Sequence, residues 1–171
     1  MFTRELILEQ FRHMEWADAR VWAAIGASDP GDDRLRSLLV HLHSVQRGFF
    51  AIWTGAPVQD AFPPAESFPT LSDVRAWARP LYAEQRAFLS TKSDADLGDV
   101  VIPPWLALVE AHIGQPPGPT TLGETAGQVA SHTTYHRGQI NTRLRELGVT
   151  PPHVDYIVWL WLERPAPDWS A

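Results

Sequence analysis

Two of the seven histidines, His132 and His136, are spaced so that they could act together. They are four residues apart in a segment whose apolar residues recur with a helical period, so their side chains lie one turn apart on the same side of the predicted helix. His41 lies in an earlier segment of helical period and flanks its apolar stripe in the same manner. We expect all three imidazoles to point toward the interior of a helical bundle.

Three imidazoles from two helices match the ligand set of a catalytic zinc-type site, in which three nitrogens bind and a fourth position stays open. Imidazole suits zinc, nickel, copper and iron alike, so the ligands do not choose the metal. The spacing also fits a structural alternative, in which His132 and His136 are core residues hydrogen-bonded to backbone or to Gln128 and Gln139. The other histidines are expected on the surface or in loops: His13, His43, His112 and His153.

Four substantial helices must position these side chains. Apolar residues at steps of three and four predict them over residues 7–25, 33–53, 70–88 and 121–147. Thr70 with Asp73 and Thr121 with Glu124 form N-capping patterns, and Pro80 should interrupt the third helix. Residues 105–112 and 154–162 could each form a short helix. The linker 57–69 is long enough to cross from one end of a helix to the other. We therefore predict an all-α four-helix bundle with a long crossover connection and a short C-terminal helix.

The composition limits the chemistry. The chain has no cysteine, so it has no thiolate nucleophile of its own, and a metal site must use histidines or carboxylates. Its 14 Lys and Arg against 20 Asp and Glu give a net charge of -6, with no basic stripe, which argues against a nucleic-acid partner. With 171 residues, 44% of them hydrophobic, we predict a single domain over 1–171.

Neither a membrane partner nor export is expected from the sequence. The longest apolar stretches are far shorter than a bilayer span, and residues 1–10 carry charges in place of an apolar signal core. We expect a cytoplasmic protein. The aromatic content, 11% of the residues, exceeds what a small bundle easily buries, which favours a homodimer.

The sequence resembles the DinB-like (DinB/YfiT) superfamily of metal-dependent four-helix-bundle proteins. Residues 131–140 are similar to the His-x-x-x-His-Arg-Gly-Gln signature of its fourth helix, and residues 38–42, with the aromatics that follow, look like its second helix. Residues 147–156 are similar to its C-terminal segment. By this resemblance His41, His132 and His136 are the metal ligands. Two residues depart from the pattern, because Tyr135 replaces a frequent histidine and Gln46 a frequent acidic residue.

The resemblance also implies a function. Members of the superfamily include S-transferases that use bacillithiol, mycothiol or a related thiol, so we expect a metal-dependent transferase acting on a small-molecule electrophile. Zinc or nickel is the expected divalent ion, and it would lower the pKa of an exogenous thiol. The alternatives are a metal-assisted hydrolase and a stress protein that binds metal or a small ligand without turnover.

Several other residues have two interpretations. Arg137 could bind an anionic substrate, but an ion pair that supports the bundle is the favoured role. Tyr135 could donate a hydrogen bond at the site and is expected at the boundary of the bundle. Trp16, Trp53 and Trp105 could line a substrate pocket, although large aromatics at helical spacing are more often core or interface residues.

Overall fold

The computed structural model describes residues 2–28 and 31–170. This part of the chain contains the helices α1 (Arg4–Ser28), α2 (Asp33–Thr54), α3 (Leu71–Ala78), α4 (Pro80–Ser90), α5 (Leu106–Ile113), α6 (Leu122–Glu146) and α7 (Tyr156–Trp161). Two strands of two residues each, β1 (Val100–Val101) and β2 (Thr120–Thr121), pair antiparallel. The protein is an all-α bundle with a short C-terminal helix, as predicted. The small ladder is an addition that the sequence pattern did not indicate.

Side chains at the helix ends explain where the long helices begin and stop. Asp32 accepts a hydrogen bond from the backbone N–H of Leu35 at 2.7 Å and so caps α2. Thr121 and Glu124 form a reciprocal capping box at the start of α6, and Thr70 and Asp73 form another at α3. At the far end of α2 the chain turns at Gly55, whose φ of 72° suits a residue without a Cβ atom. The predicted capping boxes are confirmed.

The third predicted helix is divided at Pro80. Helix α3 ends at Ala78, Arg79 joins the two pieces, and Pro80 opens α4. Proline has no N–H to donate to the preceding turn but fits the first turn of a new helix, which explains the break.

The bundle consists of α1, α2, α6 and the α3–α4 pair. Helix α6 packs against α2 and α1, α4 packs against α1, and α3 packs against α2. The crossover between α2 and α3 contains two short 3-10 turns, Val58–Ala61 and Ala65–Ser67, both of which contact α2. Among the described residues, no helix combines the length and the apolar composition that crossing a membrane requires.

In the part of the chain that the structure describes, the core has two larger apolar clusters and one smaller one, and a polar layer lies between the two larger clusters. One cluster gathers around Trp22, Leu39 and Leu144, and the other around Phe11 and Val129. Five buried polar side chains lie between these clusters on α1, α2 and α6, and Tyr82 on α4 bonds to one of them. These six residues are here called the polar layer: Asp18, His43, Gln46, Tyr82, Thr133 and Arg137. The site of interest is on α2 and α6 beside this layer.

Candidate metal centre

The structure brings together the three predicted histidine ligands. His41 on α2 and His132 and His136 on α6 each offer one ring nitrogen, and these three atoms all lie within 4.8 Å of one another. The ring centroids of His132 and His136 are 4.2 Å apart, and those of His41 and His136 are 4.5 Å apart. Nitrogen atoms this close together could hold one metal ion between them.

The three rings do not lie in the bundle interior, which corrects the prediction. His41 is exposed, and His132 and His136 are only partly buried, so the group is at the surface where α2 and α6 pack together. The apolar stripe predicted on α2 was rotated relative to the buried face, whereas the stripe predicted on α6 differs from its buried face mainly at His136. The buried face of α2 includes His43 and Gln46, and that of α6 includes Arg137 in place of His136.

A hydrogen bond sets the tautomer of His136. Its Nδ1–H donates to Oε1 of Gln139 at 2.9 Å, which leaves the lone pair on Nε2. That Nε2 is 3.1 Å from Nε2 of His132, while Nδ1 of His132 is buried without a partner in the described protein. Two ring nitrogens that face each other and lack other hydrogen-bond partners in the protein form a suitable site for a divalent cation, because the cation would accept both lone pairs.

The electrostatics keep two of the rings neutral. Burial lowers the pKa of His132 to about 4, with a further contribution from the nearby His136 and His41. The pKa of His41 is also lowered, first by the buried part of its ring and then by His136. Neutral imidazole is the form that binds metal ions, so these groups are ready to bind at neutral pH without first losing a proton.

The family follows from a comparison with protein-family models, in which the DinB family matches residues 1–168. The chain belongs to the DinB family. A search of the curated proteins finds no match to this chain. Membership of the DinB family and the three-histidine group together suggest that the protein binds a divalent metal ion.

Two histidines expected at the surface are buried. His43 is 1% exposed; it accepts a hydrogen bond from Nε1–H of Trp22 and donates its Nδ1–H to Gln46. His13 is also buried, and its Nε2 lies 2.9 Å from the carbonyl oxygen of Val154. Both predictions were wrong because the core has polar positions, which apolar periodicity does not detect. His112 and His153 are exposed, as predicted.

The polar layer was missed by sequence reasoning. Oδ1 of Asp18 accepts from Nε of Arg137 at 2.8 Å, and its Oδ2 accepts from the hydroxyl of Tyr82 at 2.7 Å. Arg137 is 3% exposed, so its predicted role in a structural ion pair is confirmed. Asp18 occupies the helical position between Met14 and Val21, and a charged residue at such a position was the available signal.

The remaining residues singled out from the sequence differ in how deeply they are buried. Tyr135 is 66% exposed, and its ring meets that of His136 edge-on at 5.0 Å, so it lies at the rim of the three-histidine group. Gln46 accepts a hydrogen bond from Nδ1–H of His43. Trp16 is buried in the core, whereas Trp105 packs edge-on against Phe49 and Phe62. Trp53 is partly buried and donates to Oγ1 of Thr125.

Proposed function

We propose that this protein is a metal-dependent transferase that joins a low-molecular-weight thiol to a small electrophile. His41, His132 and His136 would hold the divalent ion, for which zinc and nickel are the leading candidates, and bacillithiol or mycothiol is the leading thiol. The observation that carries the proposal is the convergence of three ring nitrogens within 4.8 Å at a surface open to solvent. A divalent ion supplies Lewis acidity, which lowers the pKa of a coordinated thiol or water.

The residues around the group support this use. Gln139 fixes the orientation and the tautomer of His136, and the exposure of His41 leaves one side open to an incoming molecule. Tyr135 presents an exposed phenol beside His136, where its hydroxyl can hydrogen-bond a substrate. Because the chain contains no cysteine, the reacting sulfur must arrive with a substrate.

The test is thiol transfer to monochlorobimane by zinc- or nickel-loaded protein, with bacillithiol and mycothiol supplied in turn. The thiol sulfur bonds to the electrophilic carbon, chloride leaves with the bonding electrons, and the thiol proton passes to solvent. We expect a rate above that of chelator-treated protein for one of the thiols. His136→Ala should reduce the rate to that of chelator-treated protein, and His153→Ala, which changes an exposed histidine, should preserve the increase.

A rate that is equal with and without metal for every thiol would contradict the transferase proposal. An ester probe assayed in parallel then separates the two alternatives. Metal-dependent ester cleavage would favour a hydrolase, and metal binding without either reaction would favour a stress protein that binds metal or a small ligand without turnover.

We further propose that residues 1–171 form one domain of a cytoplasmic homodimer. The family match over residues 1–168 supports the single domain. Large exposed apolar side chains support self-association: Leu108, Ile113 and Trp161. Light scattering should give twice the mass of one chain, whereas the mass of a single chain would contradict the dimer.

The net charge of -6 agrees with a protein that does not bind nucleic acid.

A further inference from the structure

The C-terminal tail, residues 165–170, has no regular secondary structure but folds back onto the bundle, and Trp169 is its largest side chain. The indole of Trp169 packs against both larger apolar clusters of the core. Its Nε1–H donates to Oε1 of Glu15 on α1 at 3.2 Å, and the backbone carbonyl oxygen of Trp169 accepts from Nη2 of Arg75 on α3 at 2.7 Å. Trp169 therefore anchors the tail to the bundle.

The residues that hold Trp169 form a site suited to an indole. We call them the tail-binding site: Glu15, Arg75, Arg79 and Tyr82. The centroids of the Tyr82 and Trp169 rings are 5.4 Å apart, and the guanidinium carbons of Arg75 and Arg79 each lie 5.8 Å from the indole centroid. Glu15 is 6% exposed, so the carboxylate that accepts from the indole is fixed within the bundle. A carboxylate, an aromatic neighbour and two cations together recognise an aromatic ring that carries an N–H donor.

Two residues in a strained conformation, here called the hinge, join the end of α7 to the tail. Glu163 has a φ of 63° and Arg164 a φ of 58°, in the left-handed region that is unfavourable for a residue with a Cβ atom. Glycine is the residue usually found where a helix ends in this conformation. The side chain of Arg164 is held by an ion pair with Glu9 that is largely exposed and contributes little. The chain reversal that returns the tail to its own bundle is therefore strained.

Apolar side chains next to the hinge remain exposed. Ile157 and Trp161 are one turn apart on the same side of α7, and Leu162 follows them directly. Trp161 is 74% exposed, so the folded-back tail does not cover it. Neighbouring exposed apolar side chains mark an interaction surface, and this one lies where the tail leaves the bundle.

We propose that two copies of this chain exchange their C-terminal tails, so that Trp169 of each copy occupies the tail-binding site of the other. The inference rests on the homodimer proposed above and specifies its contacts. The contacts of Trp169 with Glu15, Arg75 and Tyr82 are the same whichever copy supplies the tail, so the exchange needs no new anchor. It allows the hinge to extend, which removes the strain, and it brings the exposed α7 surfaces of the two copies together.

Mixing two full-length variants tests the exchange. Trp169→Ala removes the anchor and keeps the tail-binding site, whereas Arg75→Ala keeps the anchor and damages the site. Each variant alone should dimerise at least about tenfold more weakly than wild type in analytical ultracentrifugation, because both of its tail contacts are defective. In an equimolar mixture the tail of Arg75→Ala can enter the intact site of Trp169→Ala. A mixed dimer should therefore form more tightly than either variant pairs with itself, and circular dichroism should give the wild-type helix content for both variants.

Leu108→Ser is the matched control for an apolar surface elsewhere. Leu108 on α5 is 74% exposed, as Trp161 is, and belongs neither to the tail nor to the tail-binding site. This substitution should leave the dimer affinity unchanged.

A hinge variant provides a second test that leaves the core and the tail-binding site intact. Glu163→Gly removes the strain from the folded-back conformation, so it should weaken the dimer about tenfold. Glu163→Ala removes the same charge but keeps a Cβ atom and the strain, so it should leave the dimer affinity unchanged.

Three results would each overturn the exchange: equal dimer affinity of Trp169→Ala and wild type, a mixture of the two variants that contains no more dimer than the variants measured separately, or unchanged affinity in Glu163→Gly. In each case a wild-type dimer would remain and would use another surface. A wild-type protein that is monomeric would contradict the homodimer and the exchange together.

Discussion

Two histidines in this protein have the same local arrangement and different surroundings. His43 on α2 and His136 on α6 each donate Nδ1–H to a glutamine three residues later, Gln46 at 3.1 Å and Gln139 at 2.9 Å. The difference is at Nε2. In His43 this atom accepts from the indole N–H of Trp22, whereas in His136 it faces Nε2 of His132 at 3.1 Å.

The comparison shows that the partner of the second nitrogen separates a structural histidine from a candidate ligand. His43 has both nitrogens satisfied within the core, so it contributes to the polar layer and has no lone pair to offer. His136 has one nitrogen fixed by its glutamine, and the other faces only a second imidazole, that of His132. Substitutions in the polar layer should therefore affect stability, and substitutions in the three-histidine group should affect metal binding.

The largest effect on stability is expected from Asp18→Ala. The substitution leaves Arg137 buried without its counter-charge and removes the acceptor of Tyr82, so the free energy of unfolding should fall by about 3–5 kcal/mol. Urea denaturation of the metal-free protein measures this. Asp33→Ala, which removes an exposed carboxylate and its ion pair with Arg36, should cost about 0.5 kcal/mol. Equal effects of the two substitutions would mean that the polar layer does not stabilise the fold.

The next effect separates the two histidines of α2. His43→Ala should lower the free energy of unfolding by about 2–4 kcal/mol, because it creates a cavity and leaves the indole N–H of Trp22 and Oε1 of Gln46 without a partner. His41→Ala changes an exposed side chain and should cost less than about 0.5 kcal/mol in the metal-free protein. Denaturation of both variants under the same conditions provides the measurement, and a larger loss for His41→Ala would reverse our assignment.

The two glutamines should also have different effects. Gln139→Leu removes the acceptor that orients His136, so the affinity for zinc should fall about 10–100-fold with little change in stability. Gln46→Leu should lower stability and leave zinc affinity unchanged. Competition with a zinc chelator measures affinity, and Gln115→Leu in an exposed loop is the matched control. Unchanged affinity in Gln139→Leu would remove the role we give to this hydrogen bond.

The smallest effect concerns an ion pair outside both regions, between Asp32 and Arg143. The hydrogen bond from Arg143 lowers the pKa of Asp32 from 3.8 to about 2. The unfolded chain therefore takes up this proton first, so the stabilisation is present above pH 3.8 and is lost as the pH falls through about 2. At neutral pH, Asp32→Ala should cost about 1 kcal/mol, because it also removes the cap of α2.

Denaturation of wild type and Asp32→Ala at a series of pH values tests this pair. The difference between the two proteins should narrow as the pH falls from 3.8 toward about 2. If the difference in free energy of unfolding stays constant over this pH range, the charge of Asp32 does not contribute to stability.

Much of the fold could be predicted because its signals are local. The capping boxes at Thr70 and Thr121, the break at Pro80 and the turn at Gly55 each depend on a few adjacent residues. The polar layer could not be predicted in the same way. Its hydrogen bonds join α1, α2, α4 and α6, and no pattern along a single helix shows which polar residues will meet.

The candidate site shows the same limit. Spacing and resemblance identified His41, His132 and His136, and the structure brings them together. The apolar stripe on α2 was nevertheless rotated toward His41, because His43 and Gln46 are buried and polar and therefore do not count as apolar positions. The depth of the site was wrong for that reason. The pair His132 and His136 was predicted from a four-residue spacing that burial does not alter, and His41 was added by the resemblance.

The most direct test of the central claim is the metal content of the purified protein by elemental analysis, comparing wild type, His136→Ala and His153→Ala. If His41, His132 and His136 hold an ion, the wild type and His153→Ala should each contain about one divalent ion per chain, and His136→Ala should contain almost none. Equal metal content in all three proteins would contradict the three-histidine centre.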